Sequence, residues 1–158
     1  MRYRKSALDD RGTLDIPFKL IVAIMMIGSV MPLGFISYRN VSREKFEMKI
    51  EKELNSLCIC AEKISMYGNL SKSEIEIDLQ GNIFADIEYV KIGNSFGSYS
   101  DVIKYKFEWE KSSNHLNIDE IHFCSYQNDT LLLKSGKHTL VLTHVESPGS
   151  SYISITKK

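Results

Sequence analysis

The side chains that could perform metal or nucleophilic chemistry in this sequence are a few cysteines and histidines. They are Cys58, Cys60, Cys124, His115, His122, His138 and His144. A structural zinc site needs four such ligands at close, paired spacings, and a zinc peptidase motif places two histidines one helical turn apart. The sequence contains neither pattern. We therefore predict that the protein holds no metal and no cofactor.

Catalytic motifs are also missing from the sequence. It contains no nucleophile elbow, phosphate-binding loop or dinucleotide-binding fingerprint. Neighbouring carboxylates such as Glu74 and Glu76 fall where a solvated strand face is expected, so they do not indicate acid–base catalysis. The 20 lysines and arginines are dispersed and balance 20 aspartates and glutamates, which is not typical of nucleic-acid-binding proteins. We predict that the protein is not an enzyme and does not bind nucleic acid.

The odd number of cysteines leaves two interpretations open. In an oxidising compartment one disulfide could form and leave one thiol. Cys58 and Cys60 diverge on a predicted helix and cannot easily bridge one another, but either could meet Cys124 on a predicted strand. We favour a Cys60–Cys124 disulfide. The alternative is three buried thiols that act as small apolar side chains.

Three asparagines lie in Asn-x-Ser/Thr triplets, which are acceptors for N-glycosylation in exported proteins. They are Asn40, Asn69 and Asn128. The triplets fit a glycosylated extracellular domain, although chance also produces such triplets.

These residues belong to a chain that begins with one strongly apolar segment. Residues 20–36 form a run of 17 residues in which Ser29 alone has a polar side chain. As a helix of about 25 Å, this run just reaches across the core of a bilayer. No small-residue cleavage site follows it, so we expect the segment to stay in the mature protein. Basic residues flank it on both sides, and their count does not set its orientation.

A helical pattern continues beyond the apolar run. Apolar residues recur at steps of three and four, which places them on one face of a helix. They are Phe46, Ile50, Leu54, Leu57, Ala61 and Ile64. Gly68 is the first helix breaker after them. We predict one near-continuous helix over about residues 16–66, with its second part packed on a globular domain.

From residue 72 onward the apolar pattern changes to a period of two. Seven short strands are predicted, at 75–79, 86–92, 102–109, 118–124, 131–133, 139–145 and 152–155, with turn residues between them. This predicts an α+β fold in which the helix packs on an antiparallel β-sandwich-like domain. Val102, Tyr105, Phe107 and Trp109 are expected to face the helix. Residues 93–100 form either a binding tip or a plain hairpin connection.

The start of the chain carries a specific resemblance. A short basic head ends in Arg11-Gly12 and is followed by a retained apolar helix. This arrangement resembles the class III signal peptide of archaeal type IV pilin-like proteins, and the later Tyr-Val-Lys-Ile-Gly and Ser-Gly-Lys-His-Thr-Leu segments are similar to uncharacterised archaeal members. The resemblance implies that a prepilin peptidase cuts after Gly12 and leaves Thr13 as the new N-terminus. It also implies a leader at 1–12, a transmembrane helix at 13–36, its amphipathic continuation at 37–68 and a β domain at 69–158.

One position departs from the pattern of that family. Its members usually carry an acidic residue at the fifth mature position, where this chain has Pro17, and the nearest acid is Asp15 at the third. Asp15 is thus the candidate for pairing with a neighbouring subunit's N-terminal amine, or it simply caps the helix.

The predicted function is that of a pilin-like protein anchored in the cell membrane by a single pass, with the β domain outside the cell. It would be a minor subunit of a pilus-like filament, with other pilin-like subunits as partners, or a pseudopilin that does not polymerise. The alternative is an anchored extracellular binding or sensing module whose leader is not cleaved.

Overall fold

The computed structural model describes residues 11–93, 101–118, 121–125, 130–147 and 150–158. Most of the predicted leader, most of the 93–100 loop and Asn128 lie outside these residues. The described elements are α1 (Arg11–Met66), β1 (Lys72–Asp78), β2 (Ile87–Ile92), β3 (Val102–Phe107), β4 (Asn114–Asn117), β5 (Phe123–Ser125), β6 (Leu131–Leu133), β7 (Lys137–Ser147) and β8 (Ser150–Lys157). The chain divides into two compact units, Met1–Asn40 and Val41–Lys158, and each is described by itself.

The predicted long helix is confirmed, and it ends just before Gly68, the predicted helix breaker. α1 ends at Met66, and Gly68 follows with φ of 89°, a left-handed conformation that glycine adopts without steric cost. The helix begins at Arg11, earlier than the predicted residue 16. Pro17 and Pro32 both lie inside it, because proline bends a helix without necessarily ending it.

In the second unit, α1 contributes one stripe to a core that it shares with both sheets. All six residues of the predicted stripe are at most 5% exposed, and Leu54 and Leu57 are fully buried. They belong to a single apolar cluster that also contains residues of both sheets, for example Ile77 of β1, Phe107 of β3 and Leu140 of β7. The predicted packing of the helix on a β domain is therefore confirmed.

The strands form two sheets of four, with the orders β1-β7-β8-β5 and β4-β3-β2-β6. Among the described strands the pairings are antiparallel except that of β5 with β8, which is parallel. The α+β class is confirmed, and this parallel pair is a departure from the predicted purely antiparallel domain.

The predicted strand at 118–124 is wrong in its position. The structure has two strands in this region, β4 (Asn114–Asn117) before it and the short β5 (Phe123–Ser125) at its end. β4 is a polar edge strand, and its backbone pairing with β3 joins Asn114 to Tyr105 and Asn117 to Val102. Cross-strand hydrogen bonds form β4 although its side chains have little strand propensity.

The inward face of β3 also corrects a sequence prediction. Ile103, Tyr105 and Phe107 are buried, whereas Val102 is half-buried. The period of two in a strand places Ile103, and not Val102, on the face that carries Tyr105 and Phe107.

Candidate membrane anchor and β-domain surface

The N-terminal unit exposes a continuous apolar helical surface. α1 is long and apolar enough to cross a membrane, and none of its most apolar stretch is buried. Phe18, Met25 and Met31 illustrate this, with 67%, 70% and 71% of their surfaces exposed. Apolar patches of this extent mark membrane or protein contacts, because soluble monomers rarely expose more than a few hundred Å² in one patch. By length and composition this segment is a candidate membrane anchor or signal sequence.

The predicted processing residues lie at the start of α1. The backbone of Arg11, Gly12, Thr13 and Asp15 is helical, and the side chains at 11–16 lie outside the described part. Because α1 begins at Arg11, Asp15 lies within the helix. The interpretation of Asp15 as an N-cap is therefore wrong.

A ladder of polar contacts joins α1 to β1 and to the connection after it. Cys60 Sγ lies 3.5 Å from Ser73 Oγ, and Lys49 Nζ lies 3.0 Å from an Asp78 carboxylate oxygen. Farther along, Asn82 Nδ2 donates to Ser42 Oγ over 3.1 Å. As the chain advances from Ser73 to Asn82, its partners step back along the helix from Cys60 to Ser42.

Asp78, which contacts Lys49 in this ladder, has a lowered pKa. The backbone N–H of Gln80 donates to Asp78 Oδ1 over 2.9 Å, and this bond, followed by the contact with Lys49, lowers the pKa of Asp78. Both contacts favour the charged carboxylate over the neutral acid.

Three aromatic side chains, Phe46, Phe107 and Trp109, pack together at the edge of the core of the second unit. Phe107 and Trp109 are stacked with ring centroids 4.6 Å apart, and Phe46 meets both edge-on at 5.9 and 6.3 Å. The guanidinium of Arg43 lies 5.1 Å from the centroid of the Trp109 ring, within the range of a cation–π interaction. The arrangement fixes Trp109 between the core and a cation.

Acidic side chains lie beside this aromatic cluster. Partial burial, and then repulsion from Glu110, Glu51 and Glu44, raises the pKa of Glu47. Burial and the same acidic surroundings raise the pKa of Tyr105. Among the described residues no group of three or more histidines, cysteines or carboxylates is arranged to hold a metal ion.

The cysteine geometry does not support the predicted disulfide. The structure does not join Cys60 to Cys124. Cys60 contacts Ser73 on β1 at one edge of the first sheet, and Cys124 lies on β5 at the opposite edge. Three strand spacings separate these edges by about 14 Å, whereas bridged cysteines have Cα atoms about 4.4–6.8 Å apart. Cys58 is buried, and burial, followed by the charge of Glu62, raises its pKa to about 11.

Two histidines of β7 are buried. His144 is 2% exposed, and its Nδ1 lies 2.9 Å from the carbonyl oxygen of Gly68. A carbonyl only accepts, so Nδ1 donates to it, and Nε2 lies within hydrogen-bond distance of the Ser151 hydroxyl oxygen at 2.6 Å. His144 thus ties the end of α1 to β7 and β8. His138 is 9% exposed, and its Nε2 contacts the carbonyl of Lys134.

The predicted glycosylation positions differ in their surroundings. Asn69 is exposed in the turn after α1, and its Oδ1 accepts the backbone N–H of Glu146 over 3.0 Å. This contact leaves the Asn69 amide nitrogen, the atom that carries a glycan, pointing away from that bond. Asn40 is exposed on α1, and Asn128 lies outside the described residues.

Sequence reasoning missed the contacts that hold the turn at residues 82–85. Asn82 bonds both within the turn and to the helix, and a turn-forming residue type does not indicate the second contact.

No family model matches the chain, and no curated protein or solved structure is detectably similar to it.

Proposed function

We propose that this protein is a pilin-like surface protein that its N-terminal helix anchors in the membrane. One observation carries the proposal: a single helix, Arg11–Met66, begins with an exposed apolar segment and ends as a stripe buried under a β domain. A signal peptide that is removed would have no reason to share a helix with the core of the domain. The buried stripe therefore supports retention of the apolar segment.

In this proposal a prepilin peptidase removes the leader after Gly12, and the β domain stands outside the cell. The Arg11-Gly12 pair supports the cut, and the exposed sequon at Asn69 supports the orientation. Pro17 occupies the position of the usual acidic residue. The proposed role is therefore a minor subunit or a pseudopilin that does not polymerise, with Asp15 as the candidate partner for another subunit.

The experiment is N-terminal sequencing of the full chain purified from the membrane fraction of the expressing cells. We expect a mature chain that starts at Thr13, and the matched variant Gly12→Val should keep the leader while remaining in the membrane. A wild-type chain that starts at Met1 would contradict processing and favour an anchored module without a cleaved leader. Recovery of the chain only in the soluble fraction would contradict the anchor itself.

A further inference from the structure

Carboxylates from two separate elements lie close together on one side of the second unit. Glu44, Glu47 and Glu51 recur on α1 at steps of three and four, which places them along one side of the helix. After partial burial, the charge of Glu110, which follows β3, is the largest cause of the raised pKa of Glu47. In the described part of the chain no ion pair joins these carboxylates to a lysine or arginine. We call these four residues the acidic face.

A buried hydroxyl group lies beside the same carboxylates. Tyr105 is 6% exposed, and within the described residues its hydroxyl makes no hydrogen bond. Burial, and then the charges of Glu51, Glu47 and Glu110, raises its pKa, which places the hydroxyl next to the acidic face. Buried polar groups normally have a partner. Because a phenolic oxygen can accept as well as donate, this one is available to an N–H donor from outside the chain.

The outer face of the second sheet carries a row of basic side chains. Lys104 alternates with the buried Ile103 and Tyr105, so it projects away from the core. In the strand register Lys91 of β2 lies directly opposite Lys104, and His115 of β4 lies opposite it on the other side. Like charges in opposed positions destabilise a sheet, and no ion pair among the described residues compensates the two lysines. We call Lys91, Lys104 and His115 the basic row.

The acidic face and the basic row match in charge and in spacing, but they do not meet within one chain. Tyr105, beside the acidic face, and Lys104, in the basic row, project from opposite faces of β3. Carboxylates one turn apart on a helix have Cβ atoms about 5–6 Å apart, and directly opposed residues of a sheet have Cβ atoms about 4.5–5.5 Å apart. Two lysines of one copy can therefore reach two carboxylates of another. A metal ion fits less well, because no group of three or more ligands converges among the described residues.

We propose that the basic row of one copy of this chain binds the acidic face of a second copy. Its two lysines pair there with Glu47 and Glu51, and an ammonium N–H donates to the hydroxyl oxygen of Tyr105. The two surfaces differ, so each pair of copies keeps one free acidic face and one free basic row, to which further copies add. All of these residues lie within Val41–Lys158, so the contact depends neither on the anchor nor on the leader cut.

The test is a charge exchange between two variants of the full chain, followed by sedimentation velocity at low salt in a neutral detergent. One variant, Glu47→Lys with Glu51→Lys, makes the acidic face basic. The other, Lys91→Glu with Lys104→Glu, makes the basic row acidic. Every variant keeps the same apolar segment, so any association through that segment is common to all of them.

The matched control makes the first variant's change in charge on β1. Glu74 and Glu76 are both exposed, and Glu74→Lys with Glu76→Lys leaves the acidic face and the basic row as they are. This control should associate as the wild type does. An equal loss of association in the control and in the acidic-face variant would overturn the contact, because net charge alone would then explain the loss.

We expect the wild type to self-associate reversibly and to dissociate as salt is added. Each charge variant alone should have a dissociation constant at least about tenfold higher, because an exposed ion pair contributes up to about fivefold and reversal replaces attraction by repulsion. An equimolar mixture of the two variants should associate again, because each then offers the charge that the other needs.

A wild type that stays monomeric at low salt would overturn the contact, and so would a mixture that does not recover association. Should a reversal lower the urea midpoint, the neutral variant Glu47→Gln with Glu51→Gln takes its place. Weaker association of that variant supports the contact, and unchanged association overturns it. None of these outcomes bears on leader cleavage, which N-terminal sequencing tests separately.

Discussion

Replacing Phe46 by alanine should test whether α1 is an integral part of the β domain. Phe46 is 5% exposed and packs edge-on against Phe107 and Trp109. Truncation of a buried phenylalanine costs about 3–5 kcal/mol, and loss of two aromatic edge contacts places this position within that range. With a urea dependence of about 1.5 kcal/mol/M, a loss of 3 kcal/mol lowers the unfolding midpoint by about 2 M.

The assay is urea unfolding of the full chain in detergent micelles, followed by circular dichroism of the β structure. Circular dichroism is preferred to fluorescence here because Phe46 touches the only tryptophan. Met48→Ala is the control, since Met48 lies two residues away on the same helix and is 56% exposed; its midpoint should stay near that of the wild type. If Phe46→Ala shifted the midpoint no more than Met48→Ala, the helix would not belong to the domain core and the argument for a retained anchor would fail.

Further predictions concern titration, thiol reactivity and the buried histidine. The raised pKa of Glu47 means that the folded protein keeps this proton to a higher pH than the unfolded chain, so stability falls as the pH rises above about 4.5, and Glu47→Gln should flatten that fall in a pH series of urea midpoints. The lowered pKa of Asp78 acts in the opposite direction. The ionised carboxylate stabilises the fold above pH 3.8, and this contribution is lost on acidification, so Asp78→Asn should reduce the loss of stability in acid in the same series. Because the pKa of Cys58 is raised to about 11, mass spectrometry should find it unmodified by iodoacetamide at pH 8 until urea is added, and fast labelling of the native chain would contradict its burial. His144→Ala should cost about 2–4 kcal/mol because it leaves the Gly68 carbonyl and Ser151 without their partner, whereas His115→Ala, at an exposed position, should be nearly neutral in the same urea assay.

The helix could be predicted well because its signal is local and repeated. Steps of three and four from Phe46 to Ile64 determine a face, and the structure buries every residue of that face. Gly68 marked the end because no other residue type adopts its conformation so readily. Most strands could be predicted for the same reason, since alternation along Lys72–Asp78 or Ile87–Ile92 is visible without knowledge of partners.

The rest depends on which strands become neighbours, and a single sequence does not contain that information. The Cys60–Cys124 pairing could not be judged from the sequence because it depends on the order of the strands. The first sheet places β7 and β8 between β1, which Cys60 contacts, and β5, which carries Cys124. The burial of His144 could not be predicted because its partners, Gly68 and Ser151, are brought to it by tertiary contacts. β4 was missed because its edge pairing, and not its side chains, defines it.

The strand order of the first sheet has a consequence for the timing of biogenesis. β1 follows directly after α1 but finds its partner only in β7, where Lys72 lies opposite Thr143. A ribosome must therefore make most of the β domain before β1 can pair and before the buried stripe of α1 gains its cover. The apolar segment, in contrast, needs no later residue to become a helix in lipid. If that segment is the anchor proposed above, we expect it to be inserted while the domain is still unfolded, so that the domain completes its fold as a tethered chain.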